Sequence, residues 1–140
     1  MRLVITRPTD DANVLKAKLE AMGHSTILVP LLQIIPRANV QIPLTNYQLI
    51  CVTSANAVKY SRASAELKRI PVLTVGPQSL EAARAAGFKS CKAHGGDVGG
   101  LASYVSENFR RRDGPVRYLA GAKTTADLQA QPTACDFTVA

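Results

Sequence analysis

Apolar residues come in two rhythms along this chain, and the two alternate. Leu3-Val4-Ile5 is a short apolar run closed by Thr6-Arg7-Pro8, as expected of a strand entering a turn. Ala12, Leu15, Leu19 and Met22 then recur at intervals of three and four, which predicts one buried stripe on a helix. Thr9 or Asp10 is placed to cap its start and Gly23 to close its end. Residues 25–29 predict a second strand, and the apolar segment 30–36, flanked by Pro30 and Pro36, predicts an extended crossing segment. Residues 37–45 carry no helical period and read as a linker. Beyond it the alternation is regular. Strands are predicted at 49–52, 71–75, 89–93 and 115–119, with helices near 56–67, 78–86, 98–109 and 124–130 after them, and a last strand at 137–139.

Strands alternating with helices imply an α/β fold, a parallel sheet with helices on both faces. Residues 36–140 hold five such strands within about a hundred residues, the size of a flavodoxin-like domain. Residues 1–35 supply a βαβ fragment of a second, similar domain. Two strands and one helix cannot cover both faces of a sheet, so that fragment is expected to expose apolar surface and to favour self-association.

Several of the predicted strands end in small or hydroxylated residues that open a helix: Thr53-Ser54-Ala55-Asn56, Gly76-Pro77-Gln78-Ser79, Gly95-Gly96-Asp97 and Gly121. Backbone N–H groups without helical partners collect at such turns, and anions bind there. The charge balance points the same way. The chain carries a net charge of +7, and residues 36–140 hold thirteen basic against seven acidic groups. That excess favours an anionic partner. With no Trp, three Phe and four Tyr there are few platforms on which single-stranded nucleic acid could stack. The basic run Arg110-Arg111-Arg112 falls at a predicted helix C-terminus, where the dipole favours cations without any nucleic acid. No apolar run approaches a membrane span. Cys51, Cys91 and Cys135 are too widely spaced for a disulfide framework or a zinc site and read as core thiols in a reducing cytoplasm. No metal and no cofactor is expected.

The same turns carry a family likeness. Thr6-Arg7-Pro8, Gly23-His24, Pro30-Leu31, Thr53-Ser54-Ala55-Asn56-Ala57-Val58, Val75-Gly76-Pro77-Gln78-Ser79, Gly95-Gly96-Asp97 and Leu119-Ala120-Gly121 stand in the order in which similar motifs occur in uroporphyrinogen-III synthases. The chain resembles that family over essentially its whole length. The resemblance implies two flavodoxin-like domains, the first assembled from both chain ends and the second from the middle. On that pattern residues 1–35 are the N-terminal part of a discontinuous first domain whose C-terminal half is absent, and residues 36–140 are the second domain.

The resemblance further implies a cytoplasmic lyase of tetrapyrrole (heme) biosynthesis that cyclises hydroxymethylbilane with loss of water and inversion of ring D. That substrate is a linear tetrapyrrole bearing eight carboxylates. Its pyrroles supply the electron push, so the protein mainly has to hold a polyanion in a folded shape. The expected substrate-binding residues are Thr53, Ser54, Ala55, Asn56, Gly76 and Ser79, with Arg7 facing them across the interdomain cleft. A helix-capping role accounts for the Thr and Ser positions equally well. No catalytic residue is assigned: the family's hinge tyrosine falls beyond Ala140, and Tyr47, Tyr60, Tyr104 and Tyr118 do not stand in its place. The 140-residue chain is therefore expected to be impaired as an enzyme. Two alternatives stay open: a non-catalytic α/β domain binding anions or nucleic acid, and an inactive, truncated synthase remnant.

Overall fold

The structure is a computed structural model and describes residues 1–36, 42–43, 45–121 and 138–139. The chain divides into two compact units, Met1–Arg37 and Ala38–Ala140.

In the first unit, β1 (Arg2–Ile5), α1 (Thr9–Ala21) and β2 (Ser25–Leu28) form a βαβ unit. The strands pair in parallel, Arg2 beside Ser25 through Ile5 beside Leu28. Pro8, not Thr9 or Asp10, is the N-cap of α1, because Pro8 already accepts the first helical bond, from Ala12 N at 2.8 Å. Asp10 and Asp11 lie instead in the first turn, where the helix dipole favours acids. Gly23, at φ +83°, ends the helix, with its N–H on Glu20 O. Ala12 is buried and Leu15 and Leu19 are half-buried, whereas Met22 lies past the last helical turn and is exposed rather than part of the stripe. Glu20 ties α1 to β2: its carboxylate accepts from Lys16 Nζ and from Thr26 Oγ1, the latter at 2.8 Å.

In the second unit the elements are β3 (Leu49–Val52), α2 (Ala55–Lys59), β4 (Val72–Thr74), α3 (Pro77–Ala85), β5 (Cys91–Ala93), α4 (Val98–Asn108), β6 (Val116–Leu119) and β7 (Thr138–Val139). Among the described residues its five strands are all parallel, in the order β5-β4-β3-β6-β7. The chain lays down β4 and β5 on one side of β3, then crosses back to place β6 and β7 on the other. Right-handed crossovers put the helices of opposite travel on opposite faces. The packing agrees. Leu49, Cys51, Val116 and Tyr118 pack with Leu101, Ala102 and Val105 of α4. Their strand neighbours Ile50, Val52, Val72 and Leu119 pack with Val58 of α2, Ala83 of α3, Leu67 and Phe88. Burial on both faces explains why β3 and β6 are continuous apolar runs, apart from Arg117, rather than alternating ones.

The helix expected at 56–67 is much shorter. α2 ends at Lys59, and a 3₁₀ turn, Leu67–Arg69, follows after an irregular stretch. Two serines account for the break: Ser61 Oγ donates to Val58 O at 2.8 Å, and Ser64 Oγ accepts from Leu67 N at 3.3 Å. Such bonds offer the backbone an alternative to the helix. The basic run 110–112 likewise leaves the helix: α4 stops at Asn108, and Arg111–Asp113 is a separate 3₁₀ turn. Gly114, at φ +120°, then leads into β6; a Cβ there would lie 2.5 Å from Asn46 O. The helix expected near 124–130 lies outside the described residues, as does Phe137.

Candidate functional site

The carboxyl ends of β4, β3 and β6 lie side by side, and the strand order reverses between β3 and β6. In doubly wound sheets ligands bind in the crevice at such a reversal. Thr53 is the first residue after β3 and is half-buried. Its Oγ1 lies 2.7 Å from Tyr118 Oη, which belongs to β6 across the reversal. Ser54 is the extended N-cap of α2, with no side-chain hydrogen bond closing that end, and Ala55 and Asn56 begin the helix.

At the end of β4, Gly76 is the extended N-cap of α3, again without a side-chain cap, and Pro77 is the first helical residue. A Cβ built on Gly76 would meet nothing within 4 Å. Thr74 Oγ1 donates to Gly76 O at 3.2 Å, steadying the turn from below. The backbone of α3's first turn thus borders open space. Ser79, expected on the binding surface, is 7% exposed and turned into the fold. The reason is periodicity: Ser79 and Ala83, four apart, form the inward stripe of α3.

β5 ends differently. Asp97 caps α4, its carboxylate accepting from Gly100 N at 2.8 Å. This helix start is already occupied by a negative charge, which disfavours a second anion. His94, at the same turn, packs its ring 4.9 Å from that of Tyr104. Arg7 belongs to the first unit, exposed in the bend after β1. Among the described residues no three of His, Cys, Asp or Glu are grouped to hold a metal ion. Burial pushes the Cys91 thiol up, away from thiolate chemistry.

Two residues escaped the sequence reading. For Tyr118 the signal is a phenol inside a buried strand, because a buried tyrosine hydroxyl has to find a partner. Arg117 is 3% exposed on the opposite face, and its Nε and Nη1 have no hydrogen-bond partner among the described residues.

By fold and site geometry this is a doubly wound α/β protein with uncapped helix starts at the carboxyl edge of its sheet. The chain belongs to the uroporphyrinogen-III synthase HemD family, whose family model matches residues 13–139. No curated protein matches the chain. The family is that of a tetrapyrrole-forming synthase, and the function of this chain is synthase-like at that level. No helix among the described residues is long and apolar enough to cross a membrane.

Proposed function

We propose that the chain binds hydroxymethylbilane at the carboxyl edge of the second unit's sheet and promotes its closure to uroporphyrinogen III, losing the ring A hydroxyl and inverting ring D. Family membership supports the reaction. The observation that carries the site is the contrast among helix starts: α2 and α3 have no side-chain cap, while α4 is capped by Asp97. The uncapped starts leave backbone donors for carboxylates, and the open space at Gly76 lets a ligand approach that backbone closely. Thr53, Ser54, Ala55, Asn56 and Gly76 form this surface in our reading; the first unit, which carries Arg7, is in the same reading the N-terminal part of a discontinuous domain. Ser79 contributes its backbone N–H rather than its buried hydroxyl.

The chemistry asked of these groups is electrostatic. Loss of hydroxide from the ring A methylene leaves an electron-poor centre that the pyrroles stabilise, and donors fixed on the carboxylates hold ring D where its substituted carbon can attack. The bond from that carbon to its original methylene then breaks and re-forms at ring D's free α carbon, whose proton leaves with the hydroxide as water. The test is closure of freshly made hydroxymethylbilane by the whole chain, with the products oxidised and their isomers separated. An excess of isomer III over a protein-free control is expected, at slow turnover. Isomer I alone, together with no saturable binding of uroporphyrin III, overturns the proposal.

A further inference from the structure

Tyr118 is 1% exposed, and its ring lies in the cluster formed by Leu49, Cys51, Leu73, Leu101 and Val105. A phenylalanine would fill that apolar space without the cost of burying a hydroxyl. The hydroxyl instead reaches the end of the neighbouring strand and meets Thr53 Oγ1 at 2.7 Å, at the point where the strand order reverses.

We infer that Tyr118 is a positioning residue for the candidate site: its phenol donates to Thr53 Oγ1 and leaves the threonine hydrogen for an anionic ligand. The inference rests on the synthase reading, which sets the ligand class as a polycarboxylate. The direction of the bond follows from acidity. A phenol ionises near pH 10, an aliphatic hydroxyl far higher, so the phenol is the better donor of the pair. A threonine hydroxyl has one hydrogen and two lone pairs. Accepting from Tyr118 uses a lone pair and keeps the hydrogen available. An ionised carboxylate only accepts hydrogen bonds, so a donor is what it needs from this edge. The reverse orientation would present lone pairs and repel it. Accepting one bond also strengthens the bond that Thr53 donates, and the β-branch of Thr53 limits how far the hydroxyl can turn away.

The experiment is a fluorescence titration of the whole chain with uroporphyrin III, a stable octacarboxylate, in wild type, Tyr118→Phe, Thr53→Val and the double variant. Tyr118→Phe is expected to weaken binding about threefold to tenfold, the range of one modest hydrogen bond. Thr53→Val is expected to weaken it at least as much. In the Thr53→Val background Tyr118→Phe should then cost nothing more, whereas in a Thr53→Ser background it should still cost its full amount. A merely structural effect of Tyr118→Phe would persist in both backgrounds. Thr53→Ala repeats the cycle where valine disturbs the turn. If the wild type binds and Tyr118→Phe binds as tightly, or the two losses multiply, the positioning role fails and the synthase reading stands. If the wild type binds no uroporphyrin III the positioning role fails, and if it also closes hydroxymethylbilane to isomer I alone the synthase reading fails with it.

Discussion

Two glycines show how differently one residue type can be held. Gly114 adopts φ +120° against the Asn46 carbonyl, so Gly114→Ala combines backbone strain with a steric clash. It should destabilise the second unit by about 1–3 kcal/mol, read as a lower urea midpoint at unchanged slope. Gly76 sits at φ −133°, which any residue adopts, with space around it. Gly76→Ala should leave the melting temperature in place and weaken uroporphyrin III binding, because the added methyl stands where a ligand would approach. A variant that binds like wild type would remove Gly76 from the site. Arg117 offers a third test. A buried guanidinium with no hydrogen-bond partner for Nε and Nη1 among the described residues costs stability, so Arg117→Met should raise the urea midpoint, by about 1–3 kcal/mol of stability. A fall instead would reveal a counter-anion at that guanidinium. Nothing in the residue types predicted the first contrast, since both glycines precede a proline; the difference lies in distances across the fold.

At the scale of elements, the strands were legible because each is an apolar run bounded by Gly, Pro or hydroxyl residues, and burial on both faces leaves little else for such a run to do. Helix α2 was not. Residues 56–67 hold apolar positions at helical spacing, yet Ser61 and Ser64 bond the neighbouring backbone and stop the helix at Lys59. Periodicity reports where a helix would be amphipathic and does not weigh such local competitors. The link between α1 and β2 was equally hidden, since Lys16, Glu20 and Thr26 meet only once the strand has turned back along the helix. That link carries a pH prediction. The hydrogen bond from Lys16, then that from Thr26, holds the Glu20 carboxyl below its ordinary value. A depressed folded-state value means that the contribution is fully present above the ordinary glutamate pKa of about 4.3 and is lost as pH falls through the lower folded value. Amides of α1 and β2 should therefore lose protection in acid before those of β3, and Glu20→Gln should flatten that part of the pH profile. Equal acid sensitivity in the variant would dissociate the carboxylate from the effect.

For the whole molecule the decisive asymmetry is where apolar area goes. Among the described residues, Ile5 and Ala12 are the only fully buried hydrophobics of Met1–Arg37, while β3, β4 and β6 of the other unit are buried along their whole length. Val4 and Ile27, neighbours in register on the small sheet, are both exposed, as are Leu31, Leu32 and Ile35. A βαβ unit has to cover two sheet faces and here covers one, which the count of strands and helices in the sequence already implied. Local stability follows burial, and regions with few buried apolar contacts open at low free energy. Hydrogen exchange on the intact chain should therefore find two tiers. Amides of β1, α1 and β2 should exchange through openings much smaller than global unfolding, and those of β3, β4 and β6 only with it. Such a result would mean that the carboxyl-edge turns stand on a rigid unit, as preorganised donors require. Uniform protection across both units would overturn the link drawn between buried apolar area and local stability.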